Sequence, residues 1–66
     1  MNNNYEGMNC DEFKKIRDEL KLSQSELSKL LDVTRQTIWK YETNKYHIPK
    51  TVQLSMFFLR NKTNLI

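Results

Sequence analysis

Between Ser23 and Asn44 the chain sets helix starts and helix stops so close together that only short helices fit there. Ser23 followed three residues later by Glu26 is a capping box. The serine oxygen accepts from the Glu26 amide and the glutamate reaches back to the Ser23 amide. Leu27, Leu30 and Leu31 then fall at i, i+3 and i+4, one apolar stripe on a helix too short to stand alone. Asp32 is the expected stop, because aspartate enters the left-handed region at modest cost. Thr34 suits the N-cap of a second helix in which Ile38 and Tyr41 face inward. Arg35, Gln36 and Lys40 are left for its outer face, and Asn44 is a second left-handed stop.

Two such helices need other segments to cover their apolar stripes. Upstream, Phe13, Ile16 and Leu20 are spaced to face a core on a helix that Asp11 can cap and that runs to about Lys21. Downstream, Lys45 to Ile48 reads as a loop closed by Pro49, which suits the first turn of a helix from Lys50 to about Arg60. Val52, Met56 and Leu59 make one apolar face of that helix. Leu54, Phe57 and Phe58 make a second, so the helix needs covering on two sides. A second copy of the chain would cover it; the alternative is that Phe57 and Phe58 fold back on the first helix. With one glycine and one proline the chain has few breakers, which fits an all-α fold with short turns. The expected organisation is a flexible tail over 1–9, one domain over 10–60 with the helix pair at 24–43, and a short tail over 61–66.

Charge is distributed unevenly. Residues 1–23 hold four cations against five anions, whereas residues 24–66 hold seven cations against three anions, within a net charge of +3. Clustered positive charge supplies sequence-independent affinity for phosphates. A polar, cationic face on a short second helix is also the layout that reads bases in the DNA major groove. Enzymatic chemistry finds little here: there is one histidine, one cysteine, no glycine-rich phosphate loop and no spaced acid–base pair. Cys10 excludes an internal disulfide, suits a reducing cytosol, and is expected half-exposed before the first helix. With His47 it falls short of a metal site. The chain has no apolar run of membrane-spanning length and no leader pattern, so the expectation is a cytoplasmic protein without a membrane segment.

Gln24, Leu27, Val33, Thr34, Ile38, Glu42 and Pro49 stand where the phage Cro and repressor-like (XRE-type) helix-turn-helix family has its pattern. The chain resembles that family from about Phe13 to Leu59. It departs from the pattern with Asp32 in place of the turn glycine and Ser28 in place of the alanine where the two helices touch. Trp39 stands where a small or polar residue is usual.

The resemblance implies an all-α, four- to five-helix lambda-repressor-like domain and a sequence-specific regulator of transcription that binds double-stranded DNA. It pairs Arg17 with Glu42 and sets Gln24 at a phosphate. Base reading falls to Arg35 on guanine, Gln36 on adenine, Thr37 on a thymine methyl and Lys40 on a guanine or phosphate. Trp39 either packs on a sugar or thymine methyl or covers the neighbouring loop. Thr34, Asn44, Lys45, Tyr46, His47 and Lys50 contact the backbone. Leu54, Phe57 and Phe58 are expected at a homodimer interface, so that a repressor of bacterial or phage type binds an inverted-repeat operator. No cofactor, metal or small-molecule ligand is expected. The competing reading is an antitoxin-like or adaptor module that uses the same fold to bind protein.

Overall fold

The structure, a computed structural model, describes residues 8–64. These residues form α1 (Cys10–Glu19), α2 (Gln24–Leu31), α3 (Arg35–Glu42) and α4 (Lys50–Asn64). The helix starts follow local chemistry. At α2 both arms of the capping box are present: the Ser23 N–H donates to Glu26 Oε1 at 2.8 Å and the Glu26 N–H to Ser23 Oγ at 3.0 Å. At α3 the Thr37 N–H donates to Thr34 Oγ1 at 3.1 Å.

The start of α1 differs from expectation. Asn9, not Asp11, is the N-cap, its side chain accepting from the Glu12 N–H at 2.8 Å. Asp11 lies in the first turn instead, where its charge favours the positive end of the helix dipole. Met8 and Phe13 then occupy the positions of a hydrophobic staple around that cap, and both are buried. The expected boundary of the tail at residue 9 therefore moves back, because Met8 belongs to the core and Asn9 to the helix start; residues 1–7 lie outside the described part. At the other end α4 continues to Asn64, past the expected end at Arg60, so residues 61–64 are helical. Cys10 is half-buried and is the first residue of α1.

Each of the first three helices is followed by a left-handed residue, and none of the three is glycine: Lys21 (φ 60°), Asp32 (φ 59°) and Asn44 (φ 63°). In each case the next residue's N–H turns back to a carbonyl five positions earlier, Leu22 to Arg17 at 3.3 Å, Val33 to Ser28 at 3.0 Å and Lys45 to Lys40 at 2.9 Å. This is the long bond of the Schellman motif, which satisfies carbonyls at a helix end. It reverses the chain within a few residues and sets α2 against α3.

The core draws on every helix: Phe13 and Ile16 from α1, Leu27 from α2, Ile38 and Tyr41 from α3 and Met56 from α4, with Met8 and Ile48 from outside them. The rings of Phe13 and Tyr41 meet edge to face at 5.5 Å, a favoured aromatic geometry. Ser28 is buried at the α2–α3 contact and its hydroxyl donates to the Ser25 carbonyl at 2.7 Å, so the departure from alanine there leaves no unsatisfied group. Leu30, expected in the inward stripe of α2, is 58% exposed. Residues on a helix turn by about 100° each. Leu27, Ser28 and Leu31 span the covered arc of α2, and Leu30 falls outside it.

On α4, Val52, Met56 and Leu59 turn inward as their spacing predicts. Buried Gln53 donates from Nε2 to the Ile48 carbonyl at 2.9 Å, which pins the loop before the helix. Arg60 Nε reaches Glu19 Oε1 at 3.3 Å and ties α4 to α1. Leu54, Phe57 and Phe58 remain on the outside.

Candidate nucleic-acid interface

The end of α3 is held by a charged cluster that spans three segments. Arg17 on α1 donates from Nε to Glu42 Oε2 at 2.6 Å and from its Nη2 to Glu42 Oε1 at 3.0 Å. Its Nη1 donates to the Leu22 carbonyl in the link to α2 at 2.9 Å. The two side chains are only 11% and 4% exposed, so their charges are shielded from water. The hydrogen bond to Glu42 raises the Arg17 pKa above its ordinary value, against the opposing effect of burial.

The cluster also takes Gln24. Its carboxamide donates from Nε2 to Glu42 Oε1 at 3.0 Å. A side chain expected at a phosphate therefore already makes an internal bond at the N-terminus of α2. What α2 offers outward without rearrangement is its first backbone N–H groups, which have no partner within a helix.

Along α3, Arg35 and Gln36 are exposed at its N-terminal end, and neither side chain makes a hydrogen bond to another described residue. Thr34 and Thr37 share a bond between their hydroxyls at 2.9 Å, which places both at the same end. Trp39 is 44% exposed. Lys40, expected at a guanine or a phosphate, makes an internal contact. Its Nζ donates to Tyr46 Oη at 3.3 Å and lies 4.7 Å from the centre of the Tyr46 ring. Such a cation–π contact is worth about 0.5–1 kcal/mol at an exposed site.

The loop after α3 follows from the left-handed turn at Asn44. The Lys45 and Tyr46 N–H groups both return to the Lys40 carbonyl, at 2.9 and 3.3 Å. Asn44, Lys45, Tyr46, His47 and Lys50 are all exposed. Tyr46 also approaches buried Tyr41, with ring centres 6.4 Å apart. The loop is thus braced by side chains as well as backbone. Sequence reading missed both that brace and the Gln53 anchor behind it. The spacing of Lys40 and Tyr46 carries no regular signal, since the two are brought together by the turn between them.

The expected site residues accordingly form two groups. Thr34, Arg35, Gln36 and Thr37 gather at the N-terminal end of α3, and Asn44 to His47 with Lys50 lie along the loop and the start of α4. Trp39 and Lys40 lie between them in sequence, one turn along α3. Among the described residues no helix is long and apolar enough to cross a membrane, and no group of three or more histidine, cysteine, aspartate or glutamate side chains could hold a metal ion.

A family described as helix-turn-helix matches residues 13–52, more than half of the 66-residue chain. Comparison with curated proteins and with solved structures gave no match. The matched span begins at Phe13 in α1, contains the Arg17–Glu42 pair and the whole of α2 and α3, and ends at Val52 in the first turn of α4. With four helices among the described residues, no strand, and α2 and α3 packed across a left-handed turn, the chain belongs to the Cro/C1-type, XRE-like helix-turn-helix family of DNA-binding regulators.

Proposed function

We propose that this DNA-binding regulator is a transcriptional repressor that binds an inverted-repeat operator as a homodimer, with α3 in the major groove. The observation that carries the reading is the pair Arg35 and Gln36, exposed and unbonded at the N-terminal end of α3 while the other end is locked to α1 and α2. Arg35 suits the O6 and N7 of guanine and Gln36 the N6 and N7 of adenine, each in a two-bond contact. Thr37 offers a methyl, and Lys40 reaches the DNA by leaving Tyr46. The α2 N-terminus, Thr34 and the segment from Asn44 to Lys50 grip the backbone on either side.

Good base contacts are worth about 1–3 kcal/mol each, so one small module gains useful specificity by pairing with another. The apolar surface supports that. Leu54 and Phe58 are 57% and 63% exposed beside a groove of about 370 Å³ lined also by Leu30, Leu31, Ser55 and Leu59. Phe57 lies next to it on α4. A two-fold interface uses the same patch on both copies. The same groove favours one other reading, an antitoxin-like or adaptor module whose partner is a different protein.

Selection from a randomised duplex pool tests the proposal, followed by titration of the winning sequence and a scrambled one at two salt concentrations. The expected result is an inverted repeat with half-sites about 10 base pairs apart. Sedimentation should give a dimer mass that falls to monomer in the Leu54→Ser/Phe58→Ser variant. Weak, salt-sensitive binding with no preferred sequence would overturn the operator reading, and an unchanged mass would overturn the dimer.

A further inference from the structure

Trp39 is the one aromatic side chain of α3 with no ring contact among the described residues. It is the only tryptophan in the chain, and it stands one helical turn after Arg35. A tryptophan ring is a large apolar surface that proteins usually cover. Here 44% of the residue stays exposed. The Tyr46 ring of the following loop faces Tyr41 at 6.4 Å and carries Lys40 Nζ at 4.7 Å. Thr43, one turn further on, donates its hydroxyl back to the Trp39 carbonyl at 2.8 Å. Among the described residues the indole has no aromatic partner, no cation over its face and no hydrogen bond from Nε1. The following loop has a brace of its own in Tyr46, held by Lys40 and Tyr41.

We propose that Trp39 is a specificity-determining residue that packs its indole against the C5-methyl group of a thymine in the major groove. The proposal rests on the reading that α3 lies in that groove. The chemistry of the groove then restricts what an aromatic ring can recognise. Guanine, adenine and cytosine present hydrogen-bonding edges that an indole face leaves unsatisfied, whereas thymine adds an apolar methyl. The position follows from helix geometry. Four residues advance about 6 Å along a helix, and base pairs are spaced about 3.4 Å apart. The thymine therefore lies about one or two base pairs from the guanine that Arg35 reads.

The test uses the full chain and the duplex that selection supplies. Each thymine is replaced singly by uracil, which removes the methyl and keeps every hydrogen-bonding group. One position, next to the guanine assigned to Arg35, should weaken wild-type binding by about fourfold, the effect of burying one methyl. The same replacement should leave Trp39→Ala binding unchanged, while Thr37→Ser, which removes the rival methyl contact, keeps the full uracil effect. Indole emission of the wild-type protein gives a second readout that needs no variant. It should shift to the blue on the thymine duplex and shift less on the uracil duplex. A uracil effect that survives in Trp39→Ala, or that disappears in Thr37→Ser, would overturn the proposal, as would unchanged emission on binding. If the wild-type protein selects no sequence at all, the failure lies with the reading of α3 itself.

Discussion

Arg17 and Glu42, 25 residues apart, are joined by two hydrogen bonds of 2.6 and 3.0 Å in a nearly buried setting. The pair holds α1 to the end of α3, and Gln24 adds α2 to the same carboxylate at 3.0 Å. Removing Arg17 leaves the shielded Glu42 carboxylate without a cation, and removing Glu42 leaves Arg17 only the exposed Asp18 at 3.7 Å; breaking such a pair costs about 3–5 kcal/mol. That approaches the whole stability a core of this size supplies. Urea unfolding followed by circular dichroism should show Arg17→Ala and Glu42→Ala largely unfolded in buffer. The double variant Arg17→Met/Glu42→Leu should regain most of the loss, because a well-packed apolar pair needs no desolvation of charge. Single variants as stable as wild type would mean that the pair contributes little.

Lys21 gives the opposite kind of prediction. Its left-handed backbone (φ 60°) carries a side chain that strains the helix stop, at a cost of about 1–2 kcal/mol. Glycine removes that strain but loses about 0.5–1 kcal/mol in chain entropy. Lys21→Gly should therefore stabilise the domain by about 0.5–1 kcal/mol, read as a higher melting temperature. Asn44→Gly should gain less, since asparagine tolerates this region better. A lower melting temperature for Lys21→Gly would show that the lysine side chain makes a contribution larger than the strain.

The contact between Lys40 and Tyr46 is measurable as a coupling. Lys40→Met and Tyr46→Leu, singly and together, make a double-mutant cycle in the free protein. The expected coupling is about 0.5–1 kcal/mol, the range for a cation over an exposed aromatic ring. Additive effects would mean that the ammonium is not held there in solution.

Tyr41 sets an alkaline limit. Burial raises its phenol above the ordinary 10.0, and the nearby Tyr46 adds to the rise. Above pH 10.0 the unfolded chain releases this proton while the native chain keeps it, so the native state binds more protons and stability falls as pH increases. The contribution is complete below the unfolded value and is lost as pH passes through the raised native one. Denaturant midpoints measured between pH 9 and pH 11 should decline more steeply for wild type than for Tyr41→Phe. Parallel declines would assign the loss to other groups.

Much of the fold is already present in short-range patterns. The capping box at Ser23 and Glu26, the N-cap at Thr34 and the stops at Asp32 and Asn44 depend on residues three or four apart. So does the inward spacing of Phe13, Ile16, Ile38, Tyr41 and Met56. These are local energies, and the sequence alone determined them. The Arg17–Glu42 pair is of another kind: family likeness named it, since nothing local relates residues so far apart.

Tertiary packing decided the rest. Lys21 takes a left-handed conformation that its side chain does not favour, because α1 must end where α2 has to begin. Leu30 lies outside because packing covers the arc of α2 that holds Leu27, Ser28 and Leu31. Met8 belongs to the core because the Asn9 cap sets it at the staple position before α1. Gln24 gives its carboxamide to Glu42, and Lys40 its ammonium to Tyr46, because the turns bring these groups within bonding distance. A sequence displays the groups available to bond; which of them meet depends on where packing leaves the helix ends.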